Sequence, residues 1–168
     1  MNREMKIIYE VSNQAENYYK DAIDLGDHAA HVLKATHRSQ MTSLENIAES
    51  TFKTSDVFDF IKKQTARFSY WRQSMPENTS STENKKANQP FGPRLKDFLE
   101  QDLKKAAEDL CDPARLDIGK TSDKDLQERR RIHLLLIRQF IRQMVAQYEF
   151  RVSAVGILSS AASSKKGS

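Results

Sequence analysis

The stretch QERRRIHLLLIRQFIRQMVAQYEFR, residues 127–151, combines basic and apolar residues in a pattern that suits two uses. On a helix of about 100° per residue, Arg131, Arg138 and Arg142 lie within roughly 40° of one another, at the edge of a wide apolar face. Grouped arginines of this kind bind nucleic-acid phosphates or an acidic partner. The same grouping also arises as a solvated rim whose aliphatic stems cover the core. We therefore expect a core helix, with a phosphate-contacting ridge and a solvated rim as the two interpretations of its edge.

A second basic segment, residues 52–72, interleaves lysines and arginines with aromatic residues. Such mixtures hold phosphates and stack bases. Helical spacing, however, places Phe60, Phe68 and Trp71 on one apolar face, which predicts that most of these aromatics belong to the core. The residues of this segment that we predict to contact nucleic acid or an acidic partner are Lys62, Lys63, Arg67, Tyr70 and Arg72.

Motifs for catalysis, cofactors or metals are incomplete in this sequence. Residues 119–121, Gly-Lys-Thr, match the end of a Walker A loop, but the glycine required five positions before Gly119 is Ala114. Asp24, His28 and His31 share one helix face, yet no other segment supplies the matching ligands that metal sites in helical bundles use. We therefore predict no catalytic residue, no metal, no cofactor and no enzymatic activity.

Length and composition favour one soluble domain in a reducing compartment. The chain has 168 residues, and its single cysteine, Cys111, excludes an intramolecular disulfide and a cysteine-based zinc site. Charges within the first ten residues argue against a signal peptide. The longest apolar run, residues 134–137, is far shorter than the ~20 residues of a membrane span. We expect a cytoplasmic protein, or one from another reducing intracellular compartment, without stable membrane insertion.

The N-terminal segment carries the clearest periodicity in the chain. Apolar residues alternate at spacings of three and four, which is the heptad pattern of interlocking helices. Alanine recurs at one of the two repeating positions, which allows a neighbouring helix to approach closely. We predict one long N-terminal helix, with a kink or break at Gly26 as an alternative. The heptad seam, as a packing or oligomerisation surface, consists of Ile8, Val11, Ala15, Tyr18, Ala22, Leu25, Ala29 and Val32.

The remaining segments complete an all-α bundle of four to five helices. A capping box at residues 42–45 and a second start at Ser55 predict one helix or two joined pieces up to residue 73. Pro93 suits the first turn of the next helix, and Thr121 or Ser122 caps the last one. We divide the chain into an N-terminal helical hairpin (1–73), a flexible polar linker (74–93), a C-terminal hairpin (94–158) and a disordered tail (159–168), with the two hairpins forming one bundle.

Charge alternates along the chain and admits two explanations. Residues 1–51 carry five basic and eight acidic side chains, whereas residues 122–151 carry seven basic and four acidic ones. Acidic and basic helices either pair with each other inside the bundle, or the basic helices lie side by side and form a positive surface.

These patterns favour a non-enzymatic helical subunit of a nucleoprotein assembly. It would contact RNA or DNA phosphates through basic helix faces without reading sequence. The alternative is a protein–protein adaptor or oligomerisation module that uses the alanine-rich seam of the first helix, for which a protein partner or a second copy would be needed. A third, weaker hypothesis is peripheral attachment to an anionic membrane through the basic last helix.

Overall fold

The computed structural model describes the backbone of residues 1–76 and 88–165, and the side chains of residues 1–76 and 88–153. Within these residues the fold is all-α and contains no strand, which confirms the predicted fold class. The elements are α1 (Arg3–Glu16), α2 (Tyr19–Leu33), α3 (Arg38–Ser50), α4 (Thr54–Arg67), a 3₁₀ helix (Ser69–Arg72), α5 (Phe91–Asp97), a π-helical segment (Phe98–Asp102), α6 (Leu103–Leu110) and α7 (Asp123–Lys165). Because α5, the π-helical segment and α6 are continuous, six helices pack together in the described part, one or two more than predicted.

The long helix of the fold lies at the C-terminus, so the predicted long N-terminal helix is wrong. Helix α7 has 43 residues, whereas the N-terminal periodic segment is divided into α1 and α2. The amides of Asn17 and Tyr18 donate to the carbonyls of Gln14 and Ala15, three residues back, which tightens and ends α1. None of the described helices, α7 included, combines the length and apolar character needed to cross a membrane.

Gly26 lies inside α2 and does not break it. A Cβ atom at this position would lie 2.6 Å from Cβ of Gln147 and 2.7 Å from the carbonyl oxygen of Met144, both on α7. Real side chains do not approach so closely, so glycine is what lets the two helices meet here. Helix α2 makes the most extensive contact with α7 of any element.

Local start signals predicted some helix boundaries and missed others. Ser122 caps α7, since its Oγ accepts a hydrogen bond of 3.1 Å from the amide of Asp125, and Pro93 lies in the first turn of α5, as predicted. Helix α4 begins at Thr54, next to the predicted Ser55. The helix start predicted from the capping box at residues 42–45 is wrong, because α3 begins at Arg38 and Thr42 lies inside this helix.

Helix α7 joins two apolar clusters. The larger cluster lies between α7 and helices α2 to α5, and includes the fully buried Trp71, Phe91 and Tyr148. The smaller one packs α1 and α6 on the first turns of α7 through residues such as Val11 and Ile132. The larger cluster uses the wide apolar face predicted for α7, whereas the smaller one uses Ile132 and Leu136, which lie on another side of the helix, so this helix is the central element of the bundle.

The ends of the predicted linker are bonded to each other. The amide of Phe91 donates to the carbonyl of Gln73 at 3.0 Å, and the hydroxyl of Ser74 donates to the carbonyl of Asn88 at 2.8 Å. Residues 77–87 lie outside the described residues, so the flexible linker at 74–93 stays a prediction. The division into two hairpins and a disordered tail also stays a prediction, since α7 is assigned through Lys165 and residues 166–168 are outside the described part.

Candidate functional site

Two of the three ridge arginines of α7 form ion pairs with other helices. Arg131 pairs with Glu4 of α1, and Arg142 holds Glu49 of α3 through two nitrogens, with Nη2 and Oε2 at 2.8 Å. The hydrogen bond from Arg142 lowers the pKa of the Glu49 carboxyl. Both arginines are half exposed, so each pair contributes little to stability by itself, but each guanidinium already has a carboxylate partner.

The third ridge arginine caps the C-terminal end of a neighbouring helix. Arg138 donates from Nε to the carbonyl of Ala48 at 2.8 Å and from Nη2 to the carbonyl of Thr51 at 2.6 Å. These carbonyls belong to the C-terminal end of α3, where backbone acceptors lack helical partners and the helix dipole favours a cation. Arg138 therefore connects α7 to α3, a role that differs from both a free ridge and a solvated rim.

Cross-helix ion pairs account for much of the charge alternation in the sequence. In the described part of the chain, four of these pairs join an acidic residue of α1 to α3 to a basic residue of α7 or of the preceding loop, as the first of the two explanations requires, and two run in the opposite direction. Besides the two ridge pairs, these ion pairs are Arg3–Glu128, Arg38–Glu149, Arg115–Glu10 and Arg151–Asp27.

The basic residues of α4 have a different environment. Lys63 and Arg67 are exposed and form no hydrogen bond or ion pair within the described part of the chain. Lys62 lies 3.3 Å from Asp59 of its own helix, and both side chains are 58% exposed, which makes this a weak, solvated pair. The exposed face of α4 therefore presents cations that are available to an external anion.

Two lysines that sequence reasoning missed extend this positive surface onto the next helix. Lys96 Nζ lies 2.6 Å from Glu100, and this hydrogen bond is the largest cause of the lowered pKa of the Glu100 carboxyl. Lys62 and Lys104 lower it further, so both lie near the same carboxylate. The three lysines and the Glu100 carboxylate thus lie together where α4 meets the α5–α6 helix. Lys96, Glu100 and Lys104 are spaced four residues apart in the sequence, whereas Lys62 joins them only through the tertiary contact between the helices.

Tyr70 belongs to a cluster of three near-parallel rings at one end of the bundle, defined here as the aromatic stack: His37, Phe68 and Tyr70. The His37 and Tyr70 ring centroids lie 4.0 Å apart with planes 12° apart, and those of Phe68 and Tyr70 lie 5.3 Å apart with planes 21° apart. All three side chains are partly exposed. Predicted site residue Tyr70 is therefore near the surface, whereas Trp71 is fully buried, as predicted for the core.

Arg72, the remaining predicted contact residue, caps α4. Its Nη1 donates to the carbonyls of Thr65 and Ala66, at 2.7 and 3.2 Å. The side chain is exposed, and its other guanidinium nitrogens form no hydrogen bond with the described residues. Arg72 thus keeps donors for an external acceptor beside the aromatic stack.

His28, the buried histidine of the incomplete metal motif, forms hydrogen bonds within the fold. His28 donates from Nε2 to the carbonyl of Gln73 at 2.9 Å, and Arg94 donates to its Nδ1 at 3.1 Å. Burial lowers the pKa of His28 to about 4, so the ring is neutral at pH 7. His31 is exposed, and no group of metal-ligating side chains forms among the residues described.

A small cavity adjoins Arg94 but is not a convincing ligand site. It has a volume of ≈ 130 Å³ and is bordered by Asp21, Asp97 and Asp102. Ligand pockets are typically ≈ 300–1,000 Å³ and mostly apolar, so this space holds little more than a few water molecules.

The heptad seam lies mostly inside the chain. Val11, Ala15, Ala22, Leu25, Ala29 and Val32 are buried, and Tyr18 is partly buried. Ile8 departs from the pattern, because it is 52% exposed while its neighbour Ile7 is buried. Together with Met5 and Tyr9, Ile8 forms an exposed apolar face on α1.

Comparison with known proteins assigns this chain to no family. No protein-family model matches the sequence, no curated protein is matched, and no solved structure is matched. A function for the chain must therefore be argued from the charge, exposure and packing of its own residues.

Proposed function

We propose that this chain is a non-enzymatic helical subunit of a nucleoprotein assembly. It contacts RNA or DNA phosphates through the basic face of α4, defined as Lys62, Lys63 and Arg67, without reading base sequence. One observation carries the proposal: these cations are exposed without a strong intramolecular partner in the described residues, whereas the ridge arginines of α7 are already paired.

Free cations at this spacing suit a phosphate backbone. Lys62 and Arg67 are five residues apart, about 7.5 Å along the helix axis, and the exposed Lys104 lies near the same Glu100 carboxylate as Lys62 on the next helix. Each phosphate that such a cation neutralises releases condensed counterions, which drives binding and makes it depend on salt. A cation already paired with a carboxylate gains less, because its pair must first be broken. The proposal therefore assigns the main contact to α4 and a minor one to α7.

Fluorescence anisotropy with a labelled, mixed-sequence single-stranded RNA and the equivalent DNA tests this assignment. The variant K62E/K63E/R67E is compared with K6E/K20E/K124E, which reverses the same number of exposed charges on α1, α2 and α7. At low salt we expect the α4 variant to lose at least tenfold in affinity and the control variant to lose much less. Equal losses would show that net charge alone drives binding, and undetectable binding by the wild-type protein would exclude the proposal.

The adaptor alternative has its own supporting observation. The seam itself is largely buried, but Met5, Ile8 and Tyr9 of α1 are each more than half exposed and lie on one side of the helix. Exposed apolar patches of this kind mark contacts with other proteins. If the adaptor function is right, replacing Ile8 with Glu will abolish capture of a protein partner while K62E/K63E/R67E leaves capture unchanged.

A further inference from the structure

We infer that the nucleic acid bound by this chain is single-stranded, and that one of its bases stacks on the outer face of His37. This inference rests on the proposed function and names the form of its ligand. It requires an aromatic platform next to free cations, which the α4 end of the bundle provides.

The aromatic stack offers one open end. One face of the His37 ring lies against Tyr70 at a centroid distance of 4.0 Å, and the His37 side chain is partly exposed. His37 is at the end of the stack and lies in the connection between α2 and α3, immediately before Arg38. A base placed against the opposite face of the His37 ring would continue the stack.

A polar clamp holds the platform in place. Gln40 donates from Nε2 to the Tyr70 hydroxyl, and its Oε1 accepts a hydrogen bond of 2.6 Å from Nε1 of Trp71. Trp71 is fully buried, so this chain of bonds ties the Tyr70 ring to the core. A platform fixed before binding loses little conformational entropy when a ligand stacks on it.

Four cations are close in sequence to the residues of the aromatic stack. Arg67 and Arg72 follow from the end of α4 and the 3₁₀ helix, while Lys34 and Arg38 flank His37 in sequence. All four side chains are exposed; Arg38 lies 3.1 Å from Glu149, whereas Lys34, Arg67 and Arg72 form no ion pair within the described part. Phosphates on either side of a stacked base would therefore meet positive charge.

This combination distinguishes single strands from duplexes. Aromatic side chains with adjacent cations bind single-stranded nucleic acid of any sequence, because every base has a flat face. Within a duplex both faces of each base are covered by neighbouring bases, so the His37 platform gains contact only at an end. A surface that used phosphates alone would instead favour the duplex, whose charge density is higher.

A strand without bases separates stacking from phosphate binding. Anisotropy is measured with a labelled single strand and with an abasic strand of the same length, which keeps every phosphate. The wild-type protein should bind the base-bearing strand at least about fivefold more tightly, which corresponds to about 1 kcal/mol for one stacked base. His37→Ala should lose this preference and bind both strands as the wild type binds the abasic one. His37→Phe should keep it, because a phenyl ring still stacks.

Controls separate failure of the inference from failure of the proposed function. His31→Ala removes an exposed histidine of α2 and should bind like the wild type, and circular dichroism checks that each variant is folded. Equal binding of the two strands by the wild type, with loss in K62E/K63E/R67E, would overturn stacking and leave phosphate binding intact. No binding of either strand at low salt would overturn both.

Discussion

At the scale of single residues, the arginines of α7 and the cations of α4 look alike in sequence but have different surroundings. Helical geometry predicted that Arg131, Arg138 and Arg142 share one edge, and they do contact neighbouring helices along it. Their partners lie about 90 or more positions away in the chain, so no local pattern identifies them. Whether a charged residue is available to bind an external ligand depends on its ion pairs with distant residues, and sequence patterns do not reveal those pairs.

Cys111 and His28 illustrate how far local reasoning reaches. Burial raises the pKa of the Cys111 thiol, and the nearby Glu108 and Glu128 raise it further. His28, part of the incomplete metal motif, is fully buried and bonded to Gln73 and Arg94. Burial is a property of the whole fold, so the sequence around either residue does not reveal it.

Buried, neutral His28 makes stability depend on pH. The pKa of His28 is about 4 in the folded protein, below its ordinary value of 6.5. Between pH 4 and pH 6.5 the unfolded chain therefore binds a proton at this histidine more readily than the folded protein does. The contribution of neutral His28 to the unfolding free energy is therefore fully present above pH 6.5 and is lost as the pH falls towards 4. Between pH 7 and pH 5 we expect His28 to account for about 2 kcal/mol of lost unfolding free energy, measured by urea denaturation.

Two variants isolate this contribution. His28→Gln should be less stable at pH 7 but should lose less stability than the wild type between pH 7 and pH 5. Asn13→Ala, which changes an exposed residue of α1 that does not titrate, should follow the wild-type pH dependence. An unchanged slope in His28→Gln would show that His28 is not neutral and buried in solution.

At the scale of elements, the contact between α2 and α7 depends on Gly26. In a solvated helix, replacing glycine with alanine raises stability by about 1 kcal/mol. Here the added Cβ would meet Gln147 Cβ at 2.6 Å and the Met144 carbonyl at 2.7 Å, so the helices must separate. We expect Gly26→Ala to lower the unfolding free energy by about 1–3 kcal/mol, as overpacked core substitutions do.

Thermal and urea denaturation measure this effect against Asn13→Ala. Asn13 is exposed on α1, so its replacement should change the unfolding free energy by no more than about 0.5 kcal/mol. A Gly26→Ala variant that is more stable than the wild type would contradict the close approach of α2 and α7.

Other elements divide into those with local signals and those without. Ser122 and Pro93 mark helix starts through side-chain hydrogen bonding and fixed backbone geometry, and both were predicted correctly. No proline or glycine marks the break at Asn17 and Tyr18, and the heptad pattern continues across it. The π-helical segment has no sequence signal either. The carbonyl of its Leu99 accepts a hydrogen bond from His133 of α7. Tertiary contacts decide such features.

At the scale of the whole molecule, the heptad seam, apart from Ile8, lies inside the chain. Ala22 is fully buried in the larger cluster, between α2 and its neighbours. Replacing Ala22 with Leu should lower the unfolding free energy by about 1–3 kcal/mol without changing the number of subunits. Size-exclusion chromatography with light scattering, together with urea denaturation, measures both quantities. A change of oligomeric state without loss of stability would place the seam between chains and support the adaptor alternative.

The central claim, that exposed cations of α4 neutralise nucleic-acid phosphates, is tested most directly by the salt dependence of binding. Anisotropy titrations with a single strand at several salt concentrations give the slope of log K against log salt for the wild type and for K62Q/K63Q/R67Q. Each lost phosphate contact flattens this slope by about 0.7 for single strands, so three should flatten it by about 2. A slope unchanged by the triple substitution would contradict the claim that the basic face of α4 contacts phosphates.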